Sequence, residues 1–168
     1  MASILNVDQI DEATSGSGVH IPGHVIQVLN TTFNTSVGTT SQTPSASGLA
    51  QTITPKFANS KLLVHADLNG VYSNTVAKGT DLYIYRDGSA VTLVSGTAGG
   101  RFAYVSSYGS NSSVISGASF SIAVDAGSTS ATTFQLYIAN GIAGGTTYIN
   151  VNGPGADTSA MTVMEIAQ

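Results

Sequence analysis

The chain reads as an all-β sandwich, and three observations predict it. In the last third, Phe134, Leu136 and Ile138 alternate with Thr133, Gln135 and Tyr137, which is the period of a half-buried strand. No window of about 10 residues holds a helical apolar stripe. About eight to ten short runs of this kind recur at a spacing of roughly 8–15 residues, with Gly, Pro, Asn and Ser between them.

Residues 1–23 differ from the rest. Ile4, Val7 and Ile10 are spaced by three, but Asn6 and Asp8 suit a helix interior poorly. Thr14-Ser15-Gly16-Ser17-Gly18 is a flexible breaker and Pro22-Gly23 a turn. The expected organisation is an extended N-terminal arm over 1–23 and one domain over 24–168. Fully extended, such an arm of about 22 residues reaches on the order of 70 Å.

The domain opens with a strand over residues 24–30. Residues 31–47, rich in Thr and Ser, predict an exposed loop with a short strand near Phe33. A weaker strand over 49–54 ends at Pro55. Residues 61–71 predict a strong one, with Leu62, Val64, Ala66 and Leu68 on one face and Leu63, His65, Asp67 and Asn69 on the other. Residues 81–86 and 90–94 flank Asp87-Gly88, the dipeptide of a tight primed hairpin turn. Strands follow over 101–106 and 119–125, with a strand end at Val114-Ile115. The runs 133–138, 146–151 and 161–166 are separated by Gly-rich turns, which predicts neighbouring antiparallel strands forming a core sheet. No fixed-period repeat is present.

Charged residues make up 8% of the chain, against roughly a quarter in an ordinary soluble domain. Such a surface repels itself weakly, so an oligomer explains it better than a free monomer. The charge is also uneven. Residues 1–55 hold Asp8, Asp11 and Glu12 with no Lys or Arg (−3), while residues 56–168 hold five cations against six anions (−1). The net charge of −4 argues against nucleic-acid binding. The chain has no cysteine, which excludes disulfides and thiolate metal sites. No apolar run approaches the roughly 20 residues of a membrane helix. No basic residue precedes an apolar stretch near Met1, so no secretory signal is expected.

Motifs for chemistry are sparse. His20 and His24 flank Pro22-Gly23 and lack a third ligand, so no metal site is expected. Asp67-Leu68-Asn69-Gly70 lacks the carboxylates of a calcium loop and predicts a turn. Asp81 with Asp87, or Asp125 with Asp157, would be the carboxylate pairs of a polysaccharide-degrading enzyme. Each of these Asp residues also suits a turn or strand end. No G-x-S-x-G elbow and no dinucleotide loop occurs. The expectation is a protein without cofactor or catalytic site.

Three segments carry a resemblance: Ala2 to Ile10; Ile53-Thr54-Pro55-Lys56-Phe57-Ala58-Asn59-Ser60-Lys61-Leu62-Leu63-Val64; and residues 147–152 with 159–166. Together they resemble virion proteins of tailed bacteriophages, in which a short N-terminal segment precedes a jelly roll similar to trimeric tumour-necrosis-factor and complement head domains. The resemblance implies a homotrimeric jelly roll on the virion surface, made in the host cytoplasm and joined through its arm to the major capsid protein or another virion protein. It transfers no functional residues. No coiled-coil or collagen-like shaft separates arm from head, which favours a compact knob.

Candidate contacts follow. Ile4, Val7, Asp8, Ile10, Asp11 and Glu12 are the expected partner-binding residues of the arm. Tyr83 and Tyr85 oppose Leu82 and Ile84, and Met164 and Ile166 oppose Met161 and Val163, so these strands have two faces to cover; the four outer residues are the expected trimer contacts. The leading expectation is a capsid decoration or head-fibre protein. An alternative is a tail-fibre tip that grips host glycans through a loop holding Tyr104, Tyr108 and Asn111. A second alternative is the capsule-degrading enzyme above.

Overall fold

Alternation sets the strands, and strand pairing sets everything else. The computed structural model describes Asp11 and residues 21–75, 79–92, 100–106 and 115–168. Its strands are β1 (Val25–Phe33), β2 (Val37–Thr39), β3 (Ser45–Ile53), β4 (Lys61–Ser73), β5 (Gly79–Arg86), β6 (Ser89–Ala90), β7 (Arg101–Ser106), β8 (Ser116–Asp125), β9 (Thr132–Asn140), β10 (Thr147–Ile149) and β11 (Ser159–Ile166). There is no helix among the described residues.

Two antiparallel sheets face each other. In the first, β1 pairs with β11, β11 with β4, and β4 with β8. The short β10 joins the far end of β4 and carries β2 on its other side. In the second, β3 pairs with β9, β9 with β5, and β5 with both β7 and β6. The long-range pairs are nested: β1 with β11, β3 with β9, β4 with β8 and β5 with β7.

The inner faces make the core. Leu62, Val64, Ala66 and Leu68 of β4, with Met161 and Val163 of β11, pack against Leu82 and Ile84 of β5 and Phe134, Leu136 and Ile138 of β9. These are the alternate positions expected from the sequence. Asp87 (φ 49°) and Gly88 (φ 80°) turn β5 into β6 with both central residues left-handed, the primed turn expected there.

Several expectations need correction. Residues 31–33 continue β1, and β3 begins at Ser45, so the predicted loop is mostly strand. Thr is β-branched and fits a pleated surface, and the Thr31 hydroxyl bonds the Gln51 carboxamide of β3. The last three runs are not neighbours: β9 lies in the second sheet, whereas β10 and β11 lie in the first without pairing with each other. The Gly144-Gly145 stretch carries the chain across the sandwich, with both residues at positive φ. Asp67 to Gly70 is part of β4 and not a separate turn.

Of the predicted arm, Ile4, Val7, Asp8, Ile10 and Glu12 lie outside the described residues, and Asp11 is exposed. Residues next to the expected boundary belong to the sheet. Gly23 N–H donates to Ala167 O at 2.8 Å, and Ala167 N–H to His24 O at 2.9 Å, extending the β1–β11 edge.

Candidate functional site

The two outer faces of the sandwich differ in chemistry. On the first sheet the register lays side chains out in rungs. Asn30, Thr162, His65 and Ser121 form one rung, tied by Asn30 Nδ2 donating to Thr162 Oγ1 at 2.8 Å and by a 2.7 Å bond between His65 Nδ1 and Ser121 Oγ. The next but one along the strands is apolar throughout: Val28, Met164, Leu63 and Ala123. Beside it Val25 pairs with Ile166, and Lys61 meets Asp125 at 2.5 Å. Val28 is 54% exposed and Val25 52%. An apolar rung beside polar ones is surface with something to gain from being covered.

The second sheet presents tyrosines. Tyr85 stacks on Tyr137 of β9, with ring centroids 3.8 Å apart and planes 14° apart. Tyr83, paired with Tyr137 across the strands, is buried and donates its hydroxyl to Asp81 Oδ2 at 3.3 Å. Burial raises the Tyr83 pKa, and the Asp81 charge and hydrogen bond push the same way. Arg101 NH1 donates to Asp81 Oδ1 at 2.8 Å, and this bond raises the pKa of the guanidinium. The Arg101 guanidinium also lies 5.1 Å from the centre of the Tyr104 ring. That ring crosses Gly79 and Gly141, where an added Cβ would come within 2.6 Å and 2.5 Å of it respectively. Glycine at both positions is what lets the phenol lie against the backbone.

Tyr83 and Tyr85 are therefore together on the second sheet, and Met164 and Ile166 are together on the first, on opposite faces of the sandwich. Tyr83 is already covered within its own chain. Tyr104 sits on strand β7 and not in a loop, because Ala103, Tyr104 and Val105 continue the pairing with β5. Tyr108 and Asn111 lie outside the described residues.

Sequence reasoning missed Val28 and Leu63 as partners of Met164. Their signal was present, since Leu63 stands apolar beside His65, Asp67 and Asn69 on its face of the strand. It also missed Arg101, whose link to Asp81 depends on the pairing of β5 with β7.

Asp81, Asp87, Asp125 and Asp157 each have a partner within the fold. Asp81 and Asp87 lie near opposite ends of β5, roughly 20 Å apart by strand rise, beyond the ~5–10 Å that glycoside hydrolysis uses. Asp87 accepts from Thr132 Oγ1 at 2.6 Å and Thr133 N–H at 2.8 Å, and these bonds lower its pKa. Asp125 is beside Lys61 at the start of β4, while Asp157 accepts from Asn152 N–H near the far end of that strand.

Glu165 is fully buried on β11. It accepts the backbone N–H of Lys56 at 2.9 Å and of Phe57 at 3.0 Å, and the Gln27 amide at 2.6 Å. Burial alone would raise its pKa, but the bonds from Lys56, Phe57 and Gln27 outweigh that and lower it. The nearby Ser60 hydroxyl adds to the effect without reaching hydrogen-bond geometry. This clamp fixes the β3–β4 connection to the sheet.

Among the described residues no group of three His, Cys, Asp or Glu side chains converges on a metal position. No protein-family model and no curated protein matches the chain.

Proposed function

We propose that this chain is a structural virion protein of a tailed bacteriophage, a homotrimeric jelly roll that decorates the capsid through its N-terminal residues 1–23. The observation that carries the reading is the apolar rung Val28–Met164–Leu63–Ala123 on the outside of the first sheet. It stands on a chain whose charged content is only 8%, and burying it against another copy removes apolar surface from water. A jelly roll would pair its strands in this nested way, first with last and inward from there, so the pairing supports that part of the reading. The acidic Asp8, Asp11 and Glu12 suit basic groups on a capsid shell. Such a protein performs no catalytic step, needs no cofactor and resides on the virion surface after synthesis in the host cytoplasm.

Sedimentation of the full chain and of a chain lacking residues 1–18 tests this. Both are expected to run as folded trimers, and only the full chain should attach to particles. Full-occupancy decoration by the shortened chain, or a monomeric full chain, overturns the proposal.

A second reading is a tail-fibre tip that meets host saccharide. The exposed Tyr104 and its neighbour Arg101 on the outside of the second sheet favour it. Adsorption of the isolated protein to host cells is its test, since a decoration protein need not bind cells.

A further inference from the structure

The chain has two arginines, and they are used differently. Arg86 spends its donors internally: Nε on Thr132 Oγ1 at 3.0 Å, NH1 on Asp125 O at 2.7 Å and NH2 on Ala126 O at 2.5 Å. Arg101 spends one nitrogen, NH1, on Asp81, and its side chain is 52% exposed. Asp81 is in turn almost wholly buried and fixed by the Tyr83 hydroxyl. The guanidinium is thus anchored through NH1 by a carboxylate and lies over the Tyr104 ring.

We infer that Arg101, Asp81 and Tyr104 form a binding site for a carboxylate-bearing saccharide of the uronic acid class, an assignment that rests on the second reading above. A guanidinium fork matches a carboxylate with two parallel hydrogen bonds. Holding it in place beforehand lowers the entropy lost when a ligand arrives. Tyr104, 40% exposed, has the guanidinium over its ring and offers its ring edge and hydroxyl to the sugar beside that carboxylate. Gly79 and Gly141 leave no side chain beneath or next to the phenol that would crowd the ring out of this position.

Charge decides the class of ligand. The site holds one guanidinium, already paired with Asp81, so it matches a single carboxylate better than the higher charge of a densely phosphorylated polymer. One carboxylate per sugar asks for one guanidinium and no more. A neutral sugar offers the fork no charge to pair and forgoes the two parallel bonds that a carboxylate makes.

Binding of the full-length protein to alginate, a polymer of uronic acids, is to be compared with binding to neutral dextran. Alginate should bind and dextran should not. Arg101→Gln should weaken alginate binding by about tenfold or more, the loss of one charge-assisted bidentate contact. Arg101→Lys, which keeps a cation for Asp81 and so protects the fold, should weaken it less but measurably, because an ammonium cannot offer the planar fork. Melting curves of both variants report folding, and the Lys variant decides the matter if the Gln variant does not fold. Equal binding of dextran, or unchanged alginate affinity in a folded Arg101 variant, overturns the inference. Should the wild type bind neither polymer and yet adsorb to host cells, the uronate assignment fails while the second reading stands. Failure on polymers and cells alike removes both.

Discussion

The carboxylate of Glu165 receives the backbone N–H of Lys56 on both of its oxygens, at 2.9 Å each. With Phe57 N–H and the Gln27 amide also pointing at it, the group is surrounded by donors in a dry place. Glu165→Gln puts an NH₂ among those donors and is expected to cost about 2–3 kcal/mol. The pH dependence has a definite sign. The folded-state pKa lies below the ordinary 4.5, so the contribution is complete above pH 4.5 and is lost as pH falls through the lower native value. Urea midpoints of wild type and Glu165→Gln should differ at neutral pH and converge only as pH falls through the native pKa, below 4.5.

Gly70 and Gly88 both have left-handed backbone, with φ of 59° and 80°. Around Gly88 an added Cβ meets nothing within 4 Å, whereas at Gly70 it would lie 2.7 Å from Val151 N and against the Asp157 carboxylate. Gly88→Ala should therefore cost about 1 kcal/mol, the conformational term alone. Gly70→Ala should cost on the order of 3 kcal/mol, since the β10–β11 connection must also shift. Chemical denaturation of the two variants measures the gap directly.

Arg86 bonds the ends of β8 and β9 and lies 5.6 Å from the centre of the buried Phe134 ring. A lysine reaches fewer of these oxygens and leaves others short of a donor. Arg86→Lys is expected to lower stability by about 2 kcal/mol. Thermal melts should show it without any change in subunit association.

The proposed trimer makes the opposite demand at Val28 and Met164. Neither belongs to the buried core, so Val28→Glu or Met164→Glu should leave the melting temperature of the isolated subunit nearly unchanged. A carboxylate in an apolar contact carries a desolvation penalty of several kcal/mol. Sedimentation should accordingly shift from trimer to monomer. A trimer that survives both substitutions places the subunit contact elsewhere.

What could be read from the sequence was what depends on neighbours along the chain. Leu62, Val64, Ala66 and Leu68 announced β4, Phe134 to Ile138 announced β9, and Asp87-Gly88 announced its turn. Which sheet a strand joins is a long-range matter, and nothing in Thr147-Tyr148-Ile149 states that its partners are Tyr72 and Gly38. The site was legible only in fragments for the same reason. Tyr104 stood out by residue type, yet its value comes from Asp81 and Arg101, which reach it only through the β5–β7 register. Glu165 gave no signal, because the amides that surround it come from a bend more than a hundred residues earlier. Tyr83 and Tyr85 stand out as aromatic residues opposite Leu82 and Ile84, but Tyr137, which pairs with Tyr83 and stacks on Tyr85, comes from a distant strand.

The place of β11 in its sheet has a consequence for how the molecule is made. β11 fits between β1 and β4 in the middle of the first sheet, so that sheet cannot close until residues 159–166 have left the ribosome. Until then β1 and β4 present open hydrogen-bonding edges to one another and to other nascent chains. A messenger cut short before codon 159 would yield a polypeptide with most of the core residues and no way to seal them, fated for inclusion bodies instead of partial assembly.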